Sequence, residues 1–173
     1  KAEVEIPEGG AEGMLVTHGG RFAGYGFYVL DSKPVYLYNL FGMKRIRWEG
    51  ENALSPGRHT VEFDFKYDGM GAETLKYGSP SGLGQGGTGT LKVDGEVVAT
   101  NKIENTIPML MQWCESFDVG ADTGSPVDDG DYKTPFRFTG TLHKLTLTID
   151  RPELSEEDIK KLQAAVHSNP ASD

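Results

Sequence analysis

The chain has 173 residues, a length typical of a single domain with one hydrophobic core. Its 26 acidic and 17 basic residues give a formal net charge of −9, which repels phosphate backbones and anionic lipid surfaces. We therefore expect neither nucleic acid nor membrane as a partner. Its one cysteine, Cys114, allows no intrachain disulfide, so cysteine usage does not indicate the redox compartment of the protein. The opening KAEVEIPEGG suggests a fragment of a longer protein.

Glycine-punctuated, alternating patterns dominate the first half of the chain. The 23 glycines, with many β-branched and aromatic residues, favour short strands joined by tight turns. We expect residues 1–11 to be a linker or entry segment and residues 12–150 to form one β-sandwich domain. Strands are predicted around residues 25–29, at Val35–Leu40 and at His59–Tyr67. Because both faces of Val35–Leu40 are apolar or aromatic, that strand is predicted to lie inside its sheet.

The second half predicts a hairpin, a long closing strand and a helix. Asp94-Gly95 is a two-residue turn signal between apolar runs, and Phe136–Ile149 has the alternation of one strand. Ser155 is the expected N-cap of a helix over 151–167 that docks on the sandwich, followed by a tail over 168–173. The predicted fold is all-β, a two-sheet antiparallel jelly-roll sandwich of the concanavalin A/laminin G type with one short C-terminal helix.

The sequence offers no catalytic constellation. Glu62 and Asp64 alternate on one predicted strand as in sandwich-fold glucanases, but Lys66 stands where a second glutamate is needed, which favours a solvated strand face. The four histidines are scattered and match no zinc-site spacing. We therefore assign no catalytic residue.

Two clusters of charge stand out. Lys44, Arg45 and Arg47 form a local basic cluster, which we interpret as a solvated strand face rather than an anion site. A turning acidic segment follows residue 115 without any Lys or Arg up to residue 131, and carboxylate oxygens are the ligands that calcium prefers. Its spacing fits no calcium-loop motif, so hydrated surface carboxylates are the alternative. The candidate metal ligands are Asp118, Asp122, Asp128, Asp129 and Asp131.

Six blocks along the chain carry a family resemblance. They are GGRFAGYGFYV, KPVYLYNLFG, SPGRHTVEFDFKYDG, GLGQGGTGTLKVDGEVVA, FDVGADTGSPV and YKTPFRFTGTLHKLTLTID. In this order they resemble the C-terminal β-sandwich region of the long bacterial arylsulfatases, over about residues 13–150. The departures are the longer loop around residues 72–81 and the WCE segment before FDVG.

The resemblance implies a non-catalytic role. Sulfatases act through a formylglycine made from the Cys or Ser of a C/S-x-P-x-R motif, and Cys114 is followed by neither the proline nor the arginine. The chain is therefore expected to be an accessory domain whose partner is a sulfatase catalytic domain, stabilising it or shaping substrate access. The alternative is a lectin-like carbohydrate-binding module, with or without calcium, whose candidate sugar platforms are Trp48, Tyr77, Trp113 and Tyr132.

Overall fold

The computed structural model describes residues 1–77, 81–108, 115–150 and 153–168. Twelve short strands, one 3-10 helix and one α-helix lie in these ranges. The strands are β1 Ala2–Ile6, β2 Gly13–Gly19, β3 Gly24–Leu30, β4 Lys33–Leu40, β5 Lys44–Glu49, β6 Gly57–Tyr67, β7 Gly87–Val93, β8 Glu96–Ile103, β9 Phe117–Val119, β10 Ala121–Asp122, β11 Phe136–Arg137 and β12 Thr141–Leu145; the 3-10 helix is Ala72–Tyr77 and α1 is Glu156–Ser168.

The strands form two sheets in which antiparallel pairing dominates. One sheet has the order β12-β1-β6-β7-β8, and the other has the order β10-β11-β2-β3-β4-β5 with β9 paired to β2. The contact of β11 with β2 is parallel. Strand β4 has a neighbour on each side, as its two apolar faces predict. The predicted two-sheet, mostly-β class with one short C-terminal helix is confirmed.

An aromatic layer joins the two sheets. Tyr36 of β4 stacks on Phe63 of β6 with ring centroids 3.4 Å apart, and the Trp48 indole lies edge-on to both rings. Trp48 Nε1 donates a 2.8 Å hydrogen bond to the backbone oxygen of Gly89 in β7. A Cβ at Gly89 would lie 2.6 Å from the rings of Phe63 and Trp48, so this close approach requires glycine. The arrangement is sandwich-like, with a core between facing sheets.

The sheet that contains β2 to β5, called the β2–β5 sheet below, is also covered on the face that points away from the aromatic layer. Successive residues of β4 point to opposite faces, so Val35 and Leu37 lie on the side away from the aromatic layer. They pack in one buried cluster with Tyr28, Val127 and Tyr132. The segment after residue 115 is therefore anchored to the sheet by apolar side chains of its own.

Two sequence-based boundaries differ from the structure. The prediction of a linker is wrong for Ala2–Ile6, which forms β1 between β6 and β12 because its alternate apolar side chains are buried. The single strand predicted over Phe136–Ile149 is wrong: β11 and β12 are separate, and Leu147 and Ile149 are exposed.

The chain divides into two compact units, where the sequence predicts one domain. The first comprises Lys1–Phe65, Gly89–Asn101 and Gln112–Thr148; the second comprises Lys66–Thr88, Lys102–Met111 and Ile149–Asp173.

The α-helix belongs to the second unit, and its N-cap is confirmed. Ser155 Oγ accepts a 3.1 Å hydrogen bond from the Asp158 backbone N–H and donates to the Asp158 carboxylate. Asp158 also accepts a 3.1 Å bond from the backbone of Ala72 in the 3-10 helix, and Leu162 is buried. The docking of this helix on the sandwich stays a prediction. Within the described residues, no helix has the length and apolar character needed to cross a membrane.

Candidate functional site

The acidic segment and the basic cluster, separate in sequence, meet in the first unit. Arg45 and Arg47 alternate with the buried Ile46 and Trp48 along β5, so their side chains point to the face that the acidic segment covers. Arg45 Nε lies 3.6 Å from Asp128 Oδ2, and Arg47 forms an ion pair with Asp131. Two residues of each cluster thereby neutralise each other.

A third cation comes from the turn between β2 and β3. Arg21 binds Asp129 with two parallel 2.7 Å hydrogen bonds, from Nε to Oδ2 and from Nη2 to Oδ1. This fork geometry is the strongest that an arginine and a carboxylate can form. Both side chains are about half exposed, so water screens the pair.

Arg47 is the centre of a partly buried ion-pair group. It donates to Asp131 and, over 2.7 Å, to Glu49 Oε2, while the Tyr28 hydroxyl also donates to Asp131. Burial disfavours the Arg47 charge, but the bonds to Asp131 and Glu49 outweigh it and raise the pKa of Arg47. Burial, reinforced by the bond to Asp131, raises the pKa of Tyr28. The group is therefore held as a fixed arginine–carboxylate–phenol arrangement.

Asp122 is the one carboxylate of the segment that is fully buried, with 1% of its surface exposed. It accepts a 2.5 Å bond from the Tyr132 hydroxyl and a 3.1 Å bond from the Gly124 backbone. The Val127 N–H in turn donates to the Tyr132 oxygen over 3.1 Å. Burial raises the pKa of Asp122 despite these bonds, and burial with the bond to Asp122 raises the pKa of Tyr132.

The remaining carboxylates cap turns of the same segment. Asp118 accepts bonds of 3.1 and 3.0 Å from the backbone and hydroxyl of Thr123, and Glu115 accepts bonds from the backbone and hydroxyl of Ser125. Calcium binding by the five aspartates stays a prediction, and it would have to displace these donors. In the part of the chain that the structure describes, no group of three His, Cys, Asp or Glu side chains is arranged to hold a metal ion.

Two of the four proposed sugar platforms are buried. Trp48 is 1% exposed and Tyr132 is 6% exposed, because both rings are needed in the cores on either side of the β2–β5 sheet. A ring must be open to solvent to stack on a sugar. Trp113, like Cys114, and the side chain of Tyr77 lie outside the described residues.

A groove of about 680 Å³ is the second candidate site, and the sequence did not indicate it. One wall is the connection after β5, fixed by hydrogen bonds from Gly50 N to Pro34 O and from Leu54 N to Ser32 O. The other wall is the β7–β8 turn at Asp94-Gly95 with the start of β8. That hairpin matches its prediction, and both turn residues have the positive φ of a two-residue turn.

A Ser–His–Asp chain lies at this groove. Ser55 Oγ is 3.1 Å from His59 Nε2, and His59 Nδ1 is 2.7 Å from Asp94 Oδ2. These contacts resemble a nucleophile, base and orienting acid. However, His59 Nε2 also lies 2.8 Å from the Ser55 backbone oxygen, which can only accept a hydrogen bond. His59 can bond to that oxygen only through an N–H on Nε2, and a protonated Nε2 has no lone pair with which to activate Ser55.

Asp94 is held as a carboxylate. Burial opposes its ionisation, but bonds from the Thr60 backbone and from His59 outweigh that effect and lower the pKa of Asp94. Asp94 Oδ1 accepts the Thr60 N–H over 2.7 Å. His59 therefore ties the Ser55 turn to the β7–β8 turn, as a structural clamp between the groove walls. No local sequence signal reveals this, because Asp94 reaches His59 only through the packing of separate strands.

Glu62 and Asp64 of β6 do not form a glucanase-like pair of catalytic carboxylates. Glu62 lies 3.3 Å from Lys92 and 3.8 Å from Lys1, so it is paired with two cations. This agrees with the solvated-face interpretation of that strand.

No family model, curated protein or solved structure matches the chain.

Proposed function

We propose that this chain is a non-catalytic accessory domain of an arylsulfatase, which stabilises the catalytic domain or shapes access to it. The six sequence blocks that resemble the family support this proposal, and so does the two-sheet architecture. The finer fold belongs to the same proposal: a jelly-roll sandwich of the concanavalin A/laminin G type.

One observation carries the proposal. The charged groups that the sequence offers for chemistry are used against each other: Asp128, Asp129 and Asp131 all pair with arginines. A catalytic acid or base must instead reach a substrate proton. His59 Nε2 lies 2.8 Å from the Ser55 backbone oxygen, and when it donates to that oxygen it does not act as a base for the Ser55 hydroxyl. Such an arrangement builds a stable surface rather than a reactive centre.

The test is hydrolysis by the purified chain. Urea unfolding first establishes that residues 1–173 fold, and 4-nitrophenyl sulfate is then supplied with and without added Ca²⁺. We expect a cooperative unfolding transition and no release of nitrophenol above the buffer rate. Turnover that tracks the protein through purification would overturn the proposal.

The neighbouring coding sequence gives a second, independent test. We expect it to encode a sulfatase domain with the C/S-x-P-x-R motif that the residues following Cys114 lack. An open reading frame that holds only an unrelated enzyme beside these residues would contradict the proposed partner.

The carbohydrate-binding alternative stays a prediction. Trp48 and Tyr132 are buried, so it would need other contact residues. Calorimetric titration against a glycan panel, with and without Ca²⁺, separates it from the accessory role. Saturable binding to one glycan would favour the lectin-like function.

A further inference from the structure

Two sheet edges lie side by side at the groove. Among the described strands, β8 ends the five-stranded sheet and β5 ends the other, so each has a neighbour on one side. The edges meet where Asn101 Nδ2 of β8 donates a 3.3 Å hydrogen bond to the Arg47 backbone oxygen of β5. Beyond Arg47 the chain leaves β5 into the wall at Gly50, and the groove opens between that wall and the start of β8.

The groove is built to keep its shape. Its first wall is fixed to the β3–β4 region through Pro34 and Ser32, as described above. The His59 clamp then joins Ser55 in this wall to Asp94 in the other. A ligand that enters such a site loses little free energy to ordering the protein.

The lining combines apolar contact with uncompensated negative charge. Glu51, Asp94 and Glu96 line the groove, and the lining residues include one basic side chain, that of His59. Neither Glu51 nor Glu96 has an ion-pair or hydrogen-bonded side-chain partner in the described part of the chain. Val97 of the edge strand is 59% exposed, and further apolar surface comes from Pro34, Leu54, Val93 and Val98.

We propose that this groove binds an extended peptide segment of a partner protein, with Lys or Arg alternating with small apolar residues. An edge strand presents backbone N–H and C=O groups that an added strand can pair with. The cationic side chains would face Glu51 and Glu96, while the apolar ones contact Val97 and Leu54. The net charge of −9 adds long-range attraction for such a segment. This inference goes beyond the accessory role and does not depend on the partner being a sulfatase.

The probe is fluorescein-labelled acetyl-KVKVKVK-amide, titrated into the full chain at low salt and followed by fluorescence anisotropy. We expect saturable binding with a dissociation constant below about 1 mM, weakened at 0.5 M NaCl by screening. Amide chemical shifts in NMR spectra should change at Gly50–Ser55 and Val93–Val98. The EVEVEVE peptide tests the charge, and a KVKVKVK peptide N-methylated at alternate residues tests backbone pairing; both should bind at least tenfold more weakly.

Charge reversal at the rim tests the location. Glu51 and Glu96 are exposed, so the double variant Glu51→Lys/Glu96→Lys should fold normally and bind the probe about tenfold more weakly. The matched control, Glu8→Lys/Glu12→Lys, makes the same change in net charge at two exposed sites outside the groove lining, and it should retain most of the parent chain's affinity.

Several results would overturn the inference. They are an absence of saturable binding, equal binding of the acidic peptide, equal loss in the Glu8→Lys/Glu12→Lys control, or shifts confined to residues outside the groove. Unchanged affinity for the N-methylated peptide would overturn the strand-pairing geometry. None of these results bears on aryl sulfate hydrolysis, so this inference and the proposed function fail separately.

Discussion

Acidic residues play opposite parts in two regions of the first unit. On the outer face of the β2–β5 sheet, Asp128, Asp129 and Asp131 are each matched by an arginine. In the groove, Glu51 and Glu96 have no such cation beside them among the residues that the structure describes. A charge that is matched within the fold contributes to stability, whereas an unmatched one on a concave surface is available to another molecule. The same residue type therefore indicates structure in one region and recognition in the other.

The largest loss of stability is expected at Asn39, a buried amide that holds the acidic segment after residue 115 against the β2–β5 sheet. Asn39 is 0% exposed, and its Nδ2 donates to the backbone oxygens of Gly20, Arg21 and Val127 while its Oδ1 accepts from Gly42. Asn39→Ala leaves these backbone groups without their partner and should lower the free energy of unfolding by about 3 kcal/mol.

Urea unfolding monitored by tryptophan fluorescence measures that change. Asn101→Ala, which removes one exposed 3.3 Å bond, is the control and should cost less than about 0.5 kcal/mol. Equal losses in the two variants would show that the acidic segment is not held through Asn39.

The next largest loss of stability is expected where an ion pair is shielded from water, and a smaller loss where the pair is exposed. Arg47→Ala leaves Asp131, whose side chain is 16% exposed, without its cation and should cost about 2–3 kcal/mol. Arg21→Ala removes an ion pair that is about half exposed and should cost less than about 1 kcal/mol. Both are read from urea midpoints at constant slope. A larger loss for Arg21→Ala would reverse the order that burial imposes.

Sequence patterns predicted the parts of this fold that depend on neighbouring residues. The Asp94-Gly95 hairpin and the Ser155 cap follow from local backbone chemistry, and the interior position of β4 follows from its two apolar faces. The pairing of Arg47 with Asp131 could not be predicted in this way, because it depends on which face of β5 meets a segment more than 80 residues away. The alternation of Arg45 and Arg47 with Ile46 and Trp48 was the one available signal.

The candidate sites illustrate the same limit. The five aspartates were recognised as a cluster, yet composition could not show that donors from the same fold would surround them. The groove was missed because its walls come from separate connections brought together by packing. Trp48 and Tyr132 were misjudged since alternation does not tell which sheet faces are covered, and here both faces of the β2–β5 sheet are.

A smaller, pH-dependent effect tests the clamp between the groove walls. Because the pKa of Asp94 is lowered on folding, its carboxylate stabilises the fold above its ordinary value of 3.8, and this contribution is lost as pH falls through the lower folded value. Asp94→Asn keeps a residue that tolerates the positive φ at this position. It should cost about 1 kcal/mol near pH 6 and clearly less at a second pH below 3.8, where the carboxylate becomes protonated.

Urea unfolding at both pH values measures the difference. Asp64→Asn, which removes an exposed carboxylate on β6 outside the groove lining, is the control for the loss of one negative charge. A cost at Asp94→Asn that persists undiminished at low pH would mean that the clamp does not depend on the carboxylate charge.

The smallest change in stability is expected in the groove, at Glu96. Glu96 has no cationic partner in the described part of the chain, so Glu96→Gln should change the free energy of unfolding by less than about 0.5 kcal/mol. Asp128→Asn, which removes the charge facing Arg45 at 3.6 Å, should cost about 1 kcal/mol, because that pair is partly shielded from water. A loss at Glu96→Gln as large as that at Asp128→Asn would show that Glu96 is matched within the fold, and its charge would then not be free to attract a cationic segment.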